Sequence, residues 1–182
     1  MNNDYCEGSM ENKASSALCG AALRKIAAGD TDALSELYDV MGKKVFFTAY
    51  SVLGNYHDAE DAAQNTFVEI IKCARKYAGG DASAWVISVA RNQALKLLRT
   101  RKSAAELEEA EHETEEKDMA SAVTLLDALD RLSPEDKRIV TLHALCDLSF
   151  AEISAETGLK KDAAQKRYRR AIEKMKKYYG EK

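Results

Sequence analysis

From Leu34 to Val52 the apolar residues Leu34, Leu37, Tyr38, Met41, Val45, Ala49 and Val52 return every three or four positions, the repeat of one buried helical face. The same spacing recurs in Ala63, Phe67, Ile70, Ile71 and Ala74, and again in Trp85, Val86, Val89, Ala90, Ala94 and Leu97. It returns in Leu125, Leu126, Leu129 and Leu132, in Ile139, Val140, Leu142 with His143 or Ala144, and in Ala164, Tyr168, Ala171, Ile172 and Met175. A chain patterned this way buries itself as helices. Composition agrees: a single Pro and nine Gly leave few interruptions, and Ala, Leu, Lys and Glu favour helix. The expected fold class is all-α, and 46% hydrophobic residues suffice for a core.

The punctuation sets the elements. Residues 1–17 are polar and small, without a period, and read as a flexible extension. A first helix is predicted over Leu18–Ala28, closed by Gly29, and a second is capped by Asp30 or Thr31. Gly54-Asn55 ends the second, and Asp58 is the expected N-cap of the third, with Asp61 in the capping-box position. After Gly79-Gly80 a fourth helix begins near Asp81 to Ser83 and runs out into Arg99-Thr100-Arg101-Lys102. Ser133-Pro134-Glu135-Asp136 is a sharp start signal, with Ser at the cap and Pro at the first helical position, for a helix ending before Asp147. Ser149 with Glu152 forms a second capping box, Gly158 is a left-handed stop, and a last helix runs from about Lys161 through Tyr168 to Lys177.

A net charge of −3 conceals a strong segregation. Arg91 to Lys102 holds five bases and no acid; Ser103 to Ala122 holds eight acids against Lys117 alone; Lys160 to the end holds ten bases against three acids. Two basic blocks divided by an acidic linker suggest nucleic-acid contact at two places. The expected organisation is two small helical domains, 18–102 and 123–182, joined by the linker 103–122.

Four scattered cysteines (Cys6, Cys19, Cys73, Cys146) form no Cys-x-x-Cys pair, and His57, His112 and His143 lack ligand spacing, so reduced thiols and no metal are expected. No apolar run is long enough to span a bilayer. The expectation is a cytoplasmic protein without membrane insertion. No phosphate loop, nucleophile elbow or paired metal-binding carboxylates are present, which argues against an enzyme and against a cofactor.

A short helix, a Gly-containing turn and a longer basic helix make a helix-turn-helix, whose second helix enters the major groove. Lys and Arg suit phosphates, and Gln or Arg pairs with base edges. On the residues alone, a stand-alone helix-turn-helix regulator and a helical adaptor or enzyme fragment with no DNA role both remain open.

The segment Asp58-Ala59-Glu60-Asp61-Ala62-Ala63-Gln64-Asn65-Thr66-Phe67 resembles region 2.2 of the extracytoplasmic-function (group 4) sigma factors of bacterial RNA polymerase. Ala84-Trp85-Val86 through Arg91-Asn92 to Leu97-Leu98-Arg99-Thr100-Arg101 resembles their regions 2.3 and 2.4. Leu132-Ser133-Pro134-Glu135, Leu148-Ser149-Phe150-Ala151-Glu152-Ile153 and Arg167-Tyr168-Arg169-Arg170-Ala171 resemble region 4. The three matches stand in the family's order over roughly Leu18 to Tyr179.

This resemblance implies a promoter-specificity subunit that binds core polymerase and melts promoter DNA. It assigns Asp61, Gln64 and Asn65 to docking on the β′ clamp coiled coil, and Lys76, Arg91, Asn92, Lys96 and Arg99 to the minus-ten element. It assigns Lys161, Gln165, Lys166, Arg167, Arg169 and Arg170 to the minus-35 element. Core polymerase (β′ clamp and β flap), promoter DNA and an anti-sigma factor are the implied partners. Phe67 is expected in the core, and Trp85 likewise from its place in an apolar stripe. Ala163-Ala164 stands where the family commonly has Thr-Val, and Gly79-Gly80-Asp81 replaces its usual Arg-Gly or Lys-Gly.

Overall fold

The computed structural model describes residues 4–105 and 120–180, with side chains described for 14–101 and 125–178. Its helices are α1 (Asp4–Ala27), α2 (Ala33–Leu53), α3 (Tyr56–Cys73), α4 (Ala82–Ala105), α5 (Ala120–Asp130), α6 (Pro134–Val140), α7 (Phe150–Thr157) and α8 (Lys161–Gly180). A 3₁₀ turn, Ala74–Lys76, extends α3, and a π-helical turn, Thr141–Leu145, extends α6. Among the described residues there is no strand, as the periodicity predicts.

Most starts and stops obey the sequence signals. Ser133 accepts the Asp136 amide at 3.2 Å with Pro134 in the first turn. Ser149 and Glu152 close a full capping box, at 3.3 and 2.7 Å. Gly54 and Gly158 end α2 and α7 in the left-handed conformation, φ 68° and 74°, which a residue without Cβ adopts freely.

Three boundaries differ from expectation. The first helix begins at Asp4, well ahead of Leu18: Glu7, Met10, Glu11, Lys13 and Ala14 are helix formers, and extending an existing helix needs no new nucleus. The third helix is capped by Asn55, whose extended backbone and side-chain oxygen receive the Asp58 amide at 3.0 Å. Asp58 therefore lies one turn inside, buried and paired with Arg101 of α4. The second helix follows Asp32 rather than Asp30 or Thr31; Asp30 instead accepts the Asp32 amide at 3.1 Å and holds the entry loop. The acidic stretch from Glu106 to Met119 lies outside the described residues.

α2 is the central element. Its buried Leu37, Met41 and Val45 join Leu23 and Ile26 of α1, Phe67 and Ile70 of α3, and Val86, Ile87 and Ala90 of α4. The same cluster continues into Ile139, Leu142, Cys146, Leu148, Ile153 and Ala164. The first four helices thus share one apolar core with residues of α6, α7 and α8 and the turns between them. A second cluster joins Leu129, Val140, Ala171 and Met175 with Phe47 of α2 packed against it. Phe67 is buried and Trp85 packs against the core beside Tyr77, as expected of both. Tyr38 and Ile71, placed in buried stripes by their spacing, are instead 61% and 41% exposed. Their positions sit at the edge of the α2–α3 seam, where Tyr38 lays its ring over Gly42 and beside Phe67 at 5.2 Å.

Candidate nucleic-acid and protein-docking surfaces

The first surface is on α3. Burial of Ala59, Ala62, Thr66, Phe67, Ile70 and Cys73 turns Asp61, Gln64 and Asn65 outward together, at the i, i+3, i+4 spacing of one face. Val68 continues that face, 50% exposed, and Ile71 lies beyond it. The surface is polar at its N-terminal end and apolar at the other, a feature hidden while Ile71 is read as core. A carboxylate and amides suit a partner that presents cationic and amide side chains.

The second surface is on α4. Asn92, Lys96 and Arg99 are exposed along one line of the helix, with Lys76 exposed at the end of the 3₁₀ turn. Arg91 does not share their exposure: it pairs with Glu156 of α7 at 3.2 Å. Arg101, in the same basic block, is held by Asp58. The four described cations of the block thus divide into two that are paired, Arg91 and Arg101, and two that are exposed, Lys96 and Arg99, a division that a charge count does not show.

The loop before α4 is shaped by two glycines at φ 100° and 91°, and by the Tyr77 hydroxyl donating to the Gly80 carbonyl at 2.8 Å. It borders a cavity of about 400 Å³ that α1 closes with Ser16, Gly20 and Arg24. Ser16 joins the two walls, donating to Asp81 at 3.0 Å and accepting the Ala82 amide at 3.1 Å. The aperiodic residues before Leu18 gave no hint of this wall.

The third surface is the helix-turn-helix of α7 and α8. Lys161, Gln165 and Arg169, four apart on α8, line a groove of about 390 Å³ together with His143, Ser149, Phe150 and Ala151. Three aromatic rings build its floor: His143 lies 4.1 Å from Phe150 and 4.6 Å from Tyr168. His143 Nδ1 meets the Leu148 carbonyl at 2.8 Å; since a carbonyl only accepts, that nitrogen carries the proton. Lys166 and Arg170 are exposed on the adjoining line of α8. Arg167 turns back onto the first turn of α6, 2.5 Å from Glu135 and 3.3 Å from Asp136. Ala164 is fully buried in the main core and Ala163 half-buried. Ser149, Phe150 and Ala151 are legible in the sequence as a capping box and as part of the family-like segment 148–153, but not as groove lining, and His143 is legible only as a core position.

Among the described residues no group of His, Cys, Asp and Glu is placed to hold a metal ion. No described helix is long and apolar enough to cross a membrane.

Comparison with known proteins locates these surfaces within two families of domain. Residues 37–104 match the family model for Sigma-70 region 2, and residues 122–175 match that for Sigma-70, region 4. The chain is 29% identical over 166 residues to the ECF RNA polymerase sigma factor SigE of Mycolicibacterium smegmatis, covering 84% of this chain and 65% of SigE. It is 30% identical over 161 residues to the RNA polymerase sigma factor CarQ of Myxococcus xanthus, covering 84% of this chain and 92% of CarQ. The chain therefore spans slightly under two-thirds of SigE and almost all of CarQ. Among solved structures, the sigma factor RpoE of Bartonella quintana, crystallised with the anti-sigma factor NepR, shares the fold with a TM-score of 0.60. That likeness covers 73% of this chain and 88% of RpoE at 19% identity.

Proposed function

The chain belongs to the extracytoplasmic-function sigma factors of RNA polymerase, and from that membership we propose that it binds core polymerase, recognises promoter DNA and directs its melting. In this reading Asp61, Gln64 and Asn65 on α3 dock on the β′ clamp coiled coil. Asn92, Lys96, Arg99 and Lys76, joined by Arg91, hold the minus-ten element. Gln165 reads base edges at the minus-35 element while Lys161, Lys166, Arg169 and Arg170 hold its phosphates, with Arg167 alongside. The region-4 unit also meets the β flap, and the acidic stretch joins the two units.

The observation that carries this reading is the separation of surfaces. Two exposed cationic lines, on α4 and α8, stand apart from a third face on α3 formed by Asp61, Gln64, Asn65 and Val68. A regulator that binds duplex DNA alone has no use for the third face. The chain supplies binding energy and positioning; phosphoryl transfer belongs to the polymerase. Work beside polymerase places it in the cytoplasm, and an anti-sigma protein is a further expected partner.

The test is capture of purified core polymerase by the immobilised chain. Wild type retains polymerase, and the paired substitution Asp61→Ala and Gln64→Ala weakens retention at least tenfold without lowering helix content. Equal retention by wild type and variant rejects the docking role of Asp61 and Gln64, and retention by neither leaves a stand-alone DNA-binding protein.

A further inference from the structure

His143 carries a second ring nitrogen that the fold leaves unused. Its Nδ1 donates to the Leu148 carbonyl, so in the neutral ring Nε2 holds a lone pair and no proton. Among the described residues no hydrogen bond is made to Nε2. The ring is half-buried, packed against Phe150 and Tyr168, and forms part of the wall of the α7–α8 groove. The backbone puts it there. Thr141–Leu145 winds as a π-helical turn, in which the Cys146 amide donates to the Thr141 carbonyl at 3.0 Å. Turns of this kind are rare and recur at functional sites.

The groove is cationic. Lys161 and Arg169 line it from α8 together with Tyr168, and no carboxylate lines it. Acids on the elements packed around His143 are mostly held elsewhere. Glu152 of α7 accepts the Ser149 amide, and Glu156 accepts Arg91 and Arg138. Glu135 and Asp136 of α6 take Arg167, and Asp147 pairs with Lys44 of α2. Asp162 stands exposed in the first turn of α8. His143 is therefore the lining residue whose charge changes near neutral pH. A phosphate in the groove meets Lys161 and Arg169 and favours the charged form of the imidazole, whose Nε2 then donates as well. Protonation leaves the Leu148 bond intact, because Nδ1 carries its proton in both forms.

We propose that His143 is a proton-linked phosphate ligand of this groove: duplex DNA binds with uptake of one solvent proton on Nε2, and the imidazolium donates from that nitrogen to a backbone phosphate beside Lys161 and Arg169. The identity of that duplex as a minus-35 element rests on the sigma-factor reading above. Binding that takes up a proton tightens as the pH falls, and the DNA in turn stabilises the protonated ring.

The experiment titrates a fluorescent mixed-sequence duplex 20-mer with the full-length chain by anisotropy, at pH 6.0 and 8.0 and at several salt concentrations. His143→Asn is the informative variant: its amide keeps a donor for Leu148 where Nδ1 stands and has nothing at the place of Nε2. Wild type should bind roughly fivefold or more tightly at the lower pH, with a log–log salt slope steeper there by about 0.9. His143→Asn should lose most of that gain and show one slope at both pH values, with unchanged helix content. If the variant does not fold, ring-proton NMR of the wild type gives the same reading. The His143 signal, assigned through its contacts with Phe150 and Tyr168, should turn over at a higher pH when duplex is present. A pH effect that His143→Asn retains, equal salt slopes in the wild type, or a turnover that duplex leaves unmoved or lowers overturns the proposal. So does tighter binding at the higher pH that His143→Asn abolishes, which assigns Nε2 to a base amino group instead. Absence of duplex binding at both pH values overturns the proposal together with the DNA reading of the groove. Capture of core polymerase on the same samples scores the sigma-factor reading separately, because its failure leaves the pH comparison intact.

Discussion

Glu156 of α7 accepts Arg91 from α4 at 3.2 Å and Arg138 from α6 at 3.3 Å, so one carboxylate is shared by two guanidiniums at the seam of the two units. Arg138 also donates to the Glu156 carbonyl at 3.0 Å. Burial, and then the neighbouring Arg91, hold the Arg138 pKa below its ordinary value. The group is charged throughout the working pH range, and its environment makes that charge expensive without Glu156.

Removing that carboxylate should therefore be felt twice. Glu156→Ala leaves both guanidiniums partly desolvated without it, and the expected loss is about 2 kcal/mol, below the fully buried range because all three side chains keep some solvent contact. Glu156→Gln, which keeps an oxygen for Arg138, should lose less. Urea unfolding of both variants measures the difference. Equal and negligible losses would show that solvent already carries both charges.

The basic block of α4 should divide by function. Arg101 pairs with Asp58, whose side chain is 4% exposed, so Arg101→Ala strands a buried carboxylate and lowers the melting temperature. Lys96→Ala and Arg99→Ala should leave the melting temperature nearly unchanged. Each should instead reduce the log–log salt slope of DNA binding by about 0.9. A salt slope sensitive to Arg101 and indifferent to Lys96 would reverse this assignment.

Neighbours on α8 should separate specificity from affinity. Gln165 faces the groove beside Phe150 and Ala151, whereas Lys166 stands on the adjoining exposed line. Gln165→Ala is expected to relax discrimination at one or two base positions by about 1–3 kcal/mol. Lys166→Ala should weaken all sequences alike. Selection from a randomised duplex library by each variant distinguishes the two, and an unchanged preferred sequence for Gln165→Ala would remove it from base reading.

Alkaline stability should report the closed core. Burial pushes the Cys146 thiol up to about 12 despite the Thr48 hydrogen bond, and burial with the nearby Asp81 charge pushes Cys19 up to about 12, both from 9.0. The unfolded chain therefore loses these protons first. The thiols' contribution is intact below pH 9 and falls between 9 and 12, by about 1.4 kcal/mol per pH unit for each thiol. Urea midpoints measured from pH 8 to 11 should decline steadily above 9, and Cys146→Ser should flatten part of that decline. A flat profile would mean that Cys146 is open to solvent.

Much of this molecule was readable before any coordinates. Signals that act within one turn, such as Ser133-Pro134, Ser149 with Glu152 and the stop at Gly158, placed helices accurately because both partners of each hydrogen bond are close in sequence. The α3 face formed by Asp61, Gln64 and Asn65 was likewise fixed by helical spacing. Spacing could not decide residues at the edge of a stripe: Tyr38 and Ile71 satisfy the repeat yet are exposed. Nor could it tell which of Asn55 and Asp58 takes the cap, since both suit the position. Pairings across long stretches of chain, Arg91 with Glu156 or Lys44 with Asp147, leave no local trace. Those pairings decide which cations of the basic blocks face solvent.

The central claim is that the chain confers promoter-specific initiation on core polymerase. Run-off transcription with purified core polymerase on a library of genomic fragments, followed by mapping of RNA 5′ ends, tests it most directly. The account predicts discrete starts that require the chain, share upstream elements at a fixed spacing, and disappear with Asp61→Ala and Gln64→Ala. Starts that are the same with and without the chain would contradict it.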